Sequence, residues 1–430
     1  MLGAALAAAL VLVAVFLLKH QSGPSPSGEQ QGSSSASSNE KTGGVASKGS
    51  KTEVATQKTP SSAPVQAGSV KELVAQLKKP NLPATEQQAV VTELVKLCST
   101  ESLAALKEAL ASGPPELRKL IAESLRECSS SDAHNLLLAL LSDKDEAVAG
   151  AAIRSLAAQG TPEATTALAE LLNNNNASAS LRAEAALGLG EINQPGVTDI
   201  LARAAHEIQD EDIVGAVLHA LAGGDFAQTQ AFFQTYLHSP DVSSDLRVAA
   251  VEAIATAQGD PSQFLADLLN DPEADVRTAV GWALSATETS GNVGKQIVAI
   301  LQNETDADVR LRLYQALRNQ EDFDIPTVLD LVRNEQDPAA QVAGFDLLAK
   351  TVRDRPTPEL QDYFTKVAIP ALVEMALSAE SFDKRQTSIL ALTRSRLPAA
   401  QEALAKIGAQ LAAQNAQPQT APPVPTPGHP

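Results

Sequence analysis

The chain of 430 residues carries 51 acidic and 33 basic side chains, a formal charge of −18, and aromatic residues make up only 3% of it. This acidity disfavours a protein that holds nucleic acid through its phosphates, because such proteins concentrate Lys and Arg on one surface. The low aromatic content disfavours a β-sandwich or barrel, and two cysteines exclude a disulfide scaffold or a four-cysteine zinc module. We therefore expect an all-α protein.

The first segment, residues 1–18, contains an uninterrupted apolar run from Leu2 to Leu18. As a helix it would span about 25 Å at ~1.5 Å per residue, slightly less than a ~30 Å hydrocarbon core. This favours a transmembrane anchor or uncleaved signal; a cleaved signal peptide and a buried helix are the alternatives. We expect a single-pass membrane protein whose repeat region lies outside the cytoplasmic membrane, periplasmic or otherwise extracytoplasmic. Lys19 argues for the opposite orientation, which stays open.

The second segment, residues 19–67, is rich in Ser, Gly, Pro, Thr and Gln and has almost no large apolar side chain. Such a composition predicts a disordered linker, because it cannot bury enough apolar surface to fold. The tail, residues 416–430, is Pro-rich and is also expected to be disordered, with Pro422 and Pro425 formally spaced as in a proline-motif ligand. The acidic excess therefore belongs to the region between them, residues 68–415.

That region repeats a nine-residue pattern, apolar at its first, fifth, sixth and ninth positions and small at its eighth. The clear copies, roughly 32 residues apart, are Leu117–Leu125, Val148–Leu156, Leu181–Leu189, Ile213–Leu221, Leu246–Ile254, Val276–Leu284 and Val309–Leu317. Weaker copies follow near Ala340–Leu348 and Lys384–Leu392. The apolar positions fall on one face at 3.6 residues per turn, so each copy predicts an amphipathic helix.

A second apolar helix precedes each copy, and an acidic turn such as Asn303–Asp308 separates the two. Asp, Asn and Ser in these turns are suited to cap the free N–H groups of the following helix. A helical hairpin of this size cannot bury its apolar face alone, so neighbouring hairpins must stack. The sequence thus predicts an α-solenoid of roughly ten helical-hairpin repeats over residues 68–415. An extra helix is expected near 357–369, where the repeat step lengthens.

The openings Asp245-Leu-Arg247, Asp275-Val-Arg277 and Asp308-Val-Arg310, and the run Ala-Leu-Gly-Leu-Gly190, resemble the HEAT repeat family, and more closely its phycobilisome-lyase-type short repeats. The resemblance implies fold more than activity, since such repeats occur in scaffolds, adaptors and a few enzymes. It also implies that the arginine at the second position of the pattern joins neighbouring repeats.

In the HEAT family the second helix of each hairpin lines the concave surface. The seventh position of the pattern points away from the apolar stripe and defines the candidate partner-binding row: Glu123, Arg154, Leu187, His219, Glu252, Trp282, Gln315 and Asp346. Exposed Trp is a favoured binding anchor. The alternative is that Trp282 folds over the adjacent helix as partial core.

Other residues do not predict chemistry. His206-Glu207 has no second His-Glu pair, the acidic turns lack the order of a calcium loop, and no phosphate-binding glycine loop is present. We expect no cofactor, no metal and no catalytic residue. Cys98 and Cys128 end successive second helices, where equivalent positions lie about 8–10 Å apart, so two buried thiols are favoured over a disulfide.

Together these features predict a membrane-tethered scaffold or adaptor that is not an enzyme and binds a basic or mixed-charge protein partner on a concave acidic surface. The alternatives are a lyase-type enzyme for tetrapyrrole attachment and a self-assembling structural component of the envelope. Nucleic acid is not an expected partner, and the oligomeric state is open.

Overall fold

The computed structural model describes residues 70–79, 82–286, 293–378 and 382–416. In these residues every regular element is a helix, and they belong to one unit, Val65–Pro430. The predicted anchor at 1–18, the predicted linker at 19–67 and all but the first residue of the predicted tail lie outside the described residues.

The helices follow one another with short connections. In chain order they are α1 (Val70–Leu77), α2 (Ala84–Leu97), α3 (Thr100–Ser112), α4 (Pro115–Leu125), α5 (Ser131–Leu140), α6 (Glu146–Gln159), α7 (Pro162–Asn173), α8 (Ala179–Glu191), α9 (Val197–Glu207), α10 (Glu211–Ala222), α11 (Phe226–Leu237), α12 (Ser244–Ile254), α13 (Ser262–Asp267), α14 (Ala274–Ala286), α15 (Gly294–Leu301), α16 (Ala307–Leu317), α17 (Ile325–Asn334), α18 (Pro338–Asp354), α19 (Pro358–Tyr363), α20 (Ile369–Ser378), α21 (Phe382–Ser395) and α22 (Pro398–Ala416). A 3-10 turn, Leu268–Asn270, extends α13, and a π-helical segment, Phe364–Ala368, joins α19 to α20.

The odd-numbered helices from α1 to α17 are the first helices of the hairpins, and the even-numbered helices from α2 to α18 are the second helices. The last hairpin pairs α19–α20 with α21, and α22 packs against both of its arms. Each second helix packs extensively on the next second helix, whereas the first helices touch one another sparsely. The apolar residues of all these pairs form one continuous buried core. The predicted all-α solenoid is confirmed for the described residues.

Small residues let the second helices approach closely. A Cβ on Gly190 would lie 2.8 Å from the Cα of Ala220, and one on Gly281 would lie 2.7 Å from the Cβ of Arg312. Of the two layers of helices, the second helices are therefore the more closely packed.

Acidic residues start many of the second helices. The Asp145, Asp210, Asp306 and Asp337 carboxylates each accept backbone N–H groups of the first helical turn. These bonds satisfy donors that a helix start otherwise leaves unpaired, and the negative charge suits the helix dipole. The predicted capping role of the acidic turns is confirmed at these positions.

Arginines at the second position of the pattern join neighbouring repeats. Arg310 Nε donates to Glu335 Oε2 at 2.9 Å and its Nη2 to Oε1 at 2.9 Å, a bidentate pair with the turn of the following hairpin. Ion pairs between the same positions are Arg118–Asp143, Arg247–Asp271 and Arg277–Glu304. We call this set of four pairs the arginine ladder. Its acids lie in the next repeat, and not two residues before the arginine.

The spacing between the last two copies of the pattern is larger because the helices there are longer. α18 has 17 residues, and α19, the π-helical segment and α20 run on as the first arm of the last hairpin. The predicted extra helix near 357–369 is therefore the beginning of that arm. Pro370 sits in the first turn of α20, just past the π-helical segment, so the arm continues through it.

The predicted localisation needs correction. No described helix combines the length and apolar composition that crossing a bilayer requires. The run on which the single-pass assignment depended, residues 1–18, lies outside the described residues.

The cysteines are paired, and the expectation of two thiols was wrong. Cys98 and Cys128 form a disulfide with their Cα atoms 5.7 Å apart. The prediction treated both as residues of stacked helices, but Cys98 follows α2 with a φ of 44°, and Cys128 lies in the loop after α4. The left-handed turn at Cys98 takes it off the helix, which shortens the distance to a value that a disulfide can bridge.

Candidate partner-binding groove

The structure places the predicted row on the second helices, with unequal access to solvent. Glu123, Arg154, Leu187, Glu252 and Trp282 are exposed, His219 and Gln315 are half-buried, and Asp346 is buried. The surface formed by the row and its neighbours on the second helices is called the groove below. It divides into three parts by chemistry.

The N-terminal part is an open cleft of about 770 Å³ over α2, α4 and α6. Its charged lining consists of Lys96, Glu123, Arg126, Glu127 and Arg154. Arg154 also forms an ion pair with Glu184 on the next second helix. The cleft is therefore of mixed charge, and its cations have carboxylates nearby.

The middle part, on α8, α10, α12 and α14, contains Leu187, His219, Glu252 and Trp282 of the row. Leu187 is 46% exposed and Trp282 is 38% exposed, and these two are the exposed large apolar side chains of the four helices. Between them, burial lowers the pKa of His219 and raises the pKa of Glu252. Both shifts disfavour the charged form, because the surrounding surface is poorly solvated. Trp282 is thus partly packed and partly open to a partner.

At the C-terminal part the row is interrupted, since Asp346 does not face the groove. Arg318 Nη1 donates to Asp346 Oδ2 at 2.8 Å, and Arg394 forms a second ion pair with the same carboxylate. Arg318 directly follows α16, Asp346 lies on α18, and Arg394 lies on α21. We name them the Arg–Asp–Arg triad. The nine-residue pattern predicted that the Asp346 side chain faces solvent, but Arg394 of α21 packs over it.

Acidic side chains border the groove more than they line it. In the second helices they concentrate in the first turn, at Glu116, Glu146, Glu211, Asp212, Asp245, Asp275 and Asp308. These positions lie along one edge of the stack. Along the row, the floor of the groove is mixed in charge at its N-terminal part, has one histidine and one glutamate between Leu187 and Trp282 in its middle, and ends at the Arg–Asp–Arg triad.

The structure adds groove residues that the row omitted. Lys96 and Arg126 line the cleft, and Leu390 is 47% exposed at the seventh position of the last, imperfect copy. Leu390 follows from the pattern if Lys384–Leu392 is read in register with the clear copies. Lys96 and Arg126 lie outside those copies, so the pattern carried no signal for them.

Residues considered for chemistry have packing roles. His206 lies 5.3 Å from the Tyr236 ring and 6.0 Å from the Phe232 ring, centroid to centroid. Burial raises the pKa of Tyr236 to about 12, so this hydroxyl stays protonated at neutral pH. Within the ranges that the structure describes, no group of three or more His, Cys, Asp or Glu side chains could hold a metal ion.

Comparisons with known proteins agree with this architecture. The family model described as HEAT repeats matches residues 103–179 and 229–318, which confirms the predicted resemblance to the HEAT repeat family. The fold is similar to Kap121p bound to Nup53p (TM-score 0.51, 13% identity, 80% of this chain, 43% of that chain). It is also similar to the karyopherin Kap121p bound to the SUMO protease Ulp1p (TM-score 0.52, 13% identity, 80% and 43%).

The alignments span less than half of the Kap121p chain, and at this identity they show the fold alone. No curated protein matches this sequence.

Proposed function

Because this chain carries HEAT repeats, we propose that it is a non-catalytic scaffold or adaptor that binds a protein partner along the groove of its second helices. A solenoid offers extended area in place of a reactive pocket. The similar Kap121p structures contain protein partners, which supports this class of ligand without identifying it.

The observation that carries the proposal is the exposed apolar pair in the middle of the groove. Leu187 and Trp282 stand on the same face, three repeats apart, with the half-buried His219 and the exposed Glu252 between them. Large apolar side chains that remain exposed on one face of the second helices are suited to act as binding anchors, and Trp is enriched among such anchors. The mixed charge of the N-terminal cleft favours a partner of mixed charge.

A capture experiment with variants tests this use of the groove. The double variant Leu187→Ala/Trp282→Ala removes both anchors, and Val367→Ala removes an apolar side chain of similar exposure (46%) on the first arm of the last hairpin. Proteins that bind the wild type and Val367→Ala, but bind the double variant at least ten-fold less, are groove ligands. The fluorescence of the single Trp then reports their binding directly.

Two outcomes would contradict the proposal. One is capture of the same proteins by the double variant with unchanged affinity. The other is a large loss of thermal stability in Trp282→Ala, which would show that Trp282 is chiefly core.

The lyase-type and self-assembly alternatives stay predictions. Visible absorbance of the purified protein tests the first, because a bound pigment would contradict a scaffold without cofactor. Light scattering over a range of concentrations tests the second, because a self-assembling component must grow in mass as its concentration rises.

A further inference from the structure

We infer that the C-terminal part of the groove binds an acidic peptide segment of the partner, through a cationic patch formed by Arg312, Arg318 and Arg394. This inference rests on the proposed function, because it names the chemistry of the ligand for one part of the same groove.

The first observation is the geometry of the Arg–Asp–Arg triad. The Asp346 side chain is 6% exposed, whereas the Arg318 side chain is 32% exposed and the Arg394 side chain 24%. The carboxylate therefore lies beneath two guanidinium groups that reach the surface. Each guanidinium has five N–H donors, and one carboxylate cannot accept them all. Donors remain that can bind further carboxylates.

The second observation is an excess of positive charge. Arg312 is half-buried, and its Nη1 donates to the neutral Gln315 Oε1 at 3.0 Å, with no carboxylate paired to it in the described part of the chain. Three arginines of the second-helix layer, Arg312, Arg318 and Arg394, thus have Asp346 as their one ion-pair partner among the described residues. Burial, and secondly the charge of Arg318, lower the pKa of Arg394, as expected for cations held together in a poorly solvated place.

The third observation is the position of the patch beside the apolar anchor. α14 and α16 pack closely at Gly281 and Arg312, where a Cβ on Gly281 would lie 2.7 Å from the Arg312 Cβ, so Trp282 is one residue from the place where Arg312 meets α14. Arg312 and Arg394 lie two repeat steps apart, roughly 20 Å at about 10 Å per packed layer. An extended peptide rises about 3.3 Å per residue. A segment with acidic residues about six positions apart, and an apolar residue before the first of them, fits this spacing.

The charge distribution of this chain indicates that the segment bound at the patch belongs to a partner and is not the chain's own C-terminal tail. Residues 417–430 contain no Asp or Glu, so the tail lacks the groups that the patch would attract. The overall charge of −18 opposes approach of a long polyanion such as nucleic acid, whereas a short acidic segment meets only the local field.

Fluorescence anisotropy on the full chain tests the inference with three labelled probes: a decapeptide of glutamate, a decapeptide of lysine, and a thymidine decanucleotide. The test variant is Arg312→Gln/Arg394→Gln, which leaves Arg318 paired with Asp346 and so keeps that carboxylate satisfied. The matched control is Arg203→Gln, an exposed arginine on the first helix α9. Thermal melting confirms that both variants fold.

We expect the glutamate peptide to bind the wild type and Arg203→Gln alike, and to bind the double variant at least ten-fold more weakly. Its affinity should fall as salt rises, because the attraction is electrostatic. Equal binding by the double variant would overturn the inference. Tighter binding of the thymidine or lysine probe than of the glutamate peptide would also overturn the inference. The proposed function is tested separately, by the capture experiment with the Leu187→Ala/Trp282→Ala variant.

Discussion

The two ends of the solenoid are secured by different chemistry. At the N-terminal end, a disulfide ties the residue after α2 to the loop after α4, beside an open cleft of mixed charge. At the C-terminal end, longer helices surround the buried carboxylate of Asp346, which two arginines share. α2 packs on α4 less extensively than most of the inner second helices pack on their neighbours.

This difference shows how a repeat protein treats its ends. Inner repeats are held on both sides by neighbours, but a terminal repeat lacks one neighbour and loses that stabilisation. The N-terminal end compensates with a covalent link, and the C-terminal end with additional buried helix and an ionic cluster. The covalent link depends on redox conditions, whereas the ionic cluster depends on both arginines keeping their carboxylate.

The largest expected effect comes from removing the disulfide. Closing a loop of this size is worth about 3–4 kcal/mol by the chain-entropy estimate, so Cys98→Ser/Cys128→Ser should lower the local stability of α1 to α4 by that order. Hydrogen exchange of the α2 amides measures it. Wild-type protein treated with reductant is the control and should behave like the variant. Unchanged exchange in α2 would mean that packing alone holds the N-terminal end.

The second expected effect comes from Asp346→Ala, which leaves two partly buried guanidinium groups without their carboxylate. A loss of about 3 kcal/mol is expected, because removing one partner of a buried ion pair leaves uncompensated charge. Asp354→Ala is the control, since Asp354 is 42% exposed in its pair with Arg353 and should cost under about 1 kcal/mol. Urea unfolding followed by circular dichroism distinguishes the two. Equal losses would show that the triad does not stabilise the C-terminal end.

A third, smaller effect concerns pH and the arginine ladder between the ends. Burial tends to raise the pKa of Glu335, but the Arg310 guanidinium and the Asp337 backbone N–H outweigh it and lower the pKa below its ordinary value of 4.5. The stabilisation is therefore fully present above pH 4.5 and is lost as pH falls through the lower folded-state pKa.

Glu335→Gln should cost about 1–2 kcal/mol at pH 7. Its melting temperature should also fall less steeply than that of the wild type below pH 4.5. Parallel pH profiles for the two proteins would contradict this ionic contribution. Glu321→Gln is a control, because Glu321 is exposed and forms no ion pair within the described ranges.

The smallest effect is expected where the ladder is interrupted. Arg182 donates from Nε to the Leu172 carbonyl at 2.8 Å within its own hairpin and has no carboxylate of the next repeat within ion-pair distance in the described residues. Arg182→Ala should therefore cost about 1 kcal/mol, and Arg310→Ala should cost more. Thermal melting of both variants compares them, and a larger loss for Arg182→Ala would contradict the importance of the inter-repeat pairs.

Periodicity predicted the fold well because the nine-residue pattern reports burial on one face, which local sequence determines. The second helices begin and end close to the copies of that pattern, and the acidic turns cap them as expected. The pattern also placed most of the row correctly on the surface, as Trp282 and Leu187 show.

The nine-residue pattern could not predict that Asp346 is buried, because its burial depends on Arg394, a residue of a later helix. It could not pair Cys98 with Cys128, because the pairing depends on a left-handed residue that ends α2 early. The pattern did not identify the acids of the ladder either, for a related reason. A carboxylate two residues before Arg310 is near in sequence, but the guanidinium reaches forward to Glu335.

The arginine ladder has a direction, since each rung runs from one second helix to the turn of the following hairpin. A chain lacking residues 277–309 would join Val276 to Arg310 and restore the same opening, Asp275-Val-Arg, at the start of the fused helix. Arg310 would still meet Glu335, and Arg247 would still meet Asp271. Removing one whole repeat therefore shortens the groove by one repeat, including Trp282. Every arginine of the ladder that remains keeps its carboxylate partner.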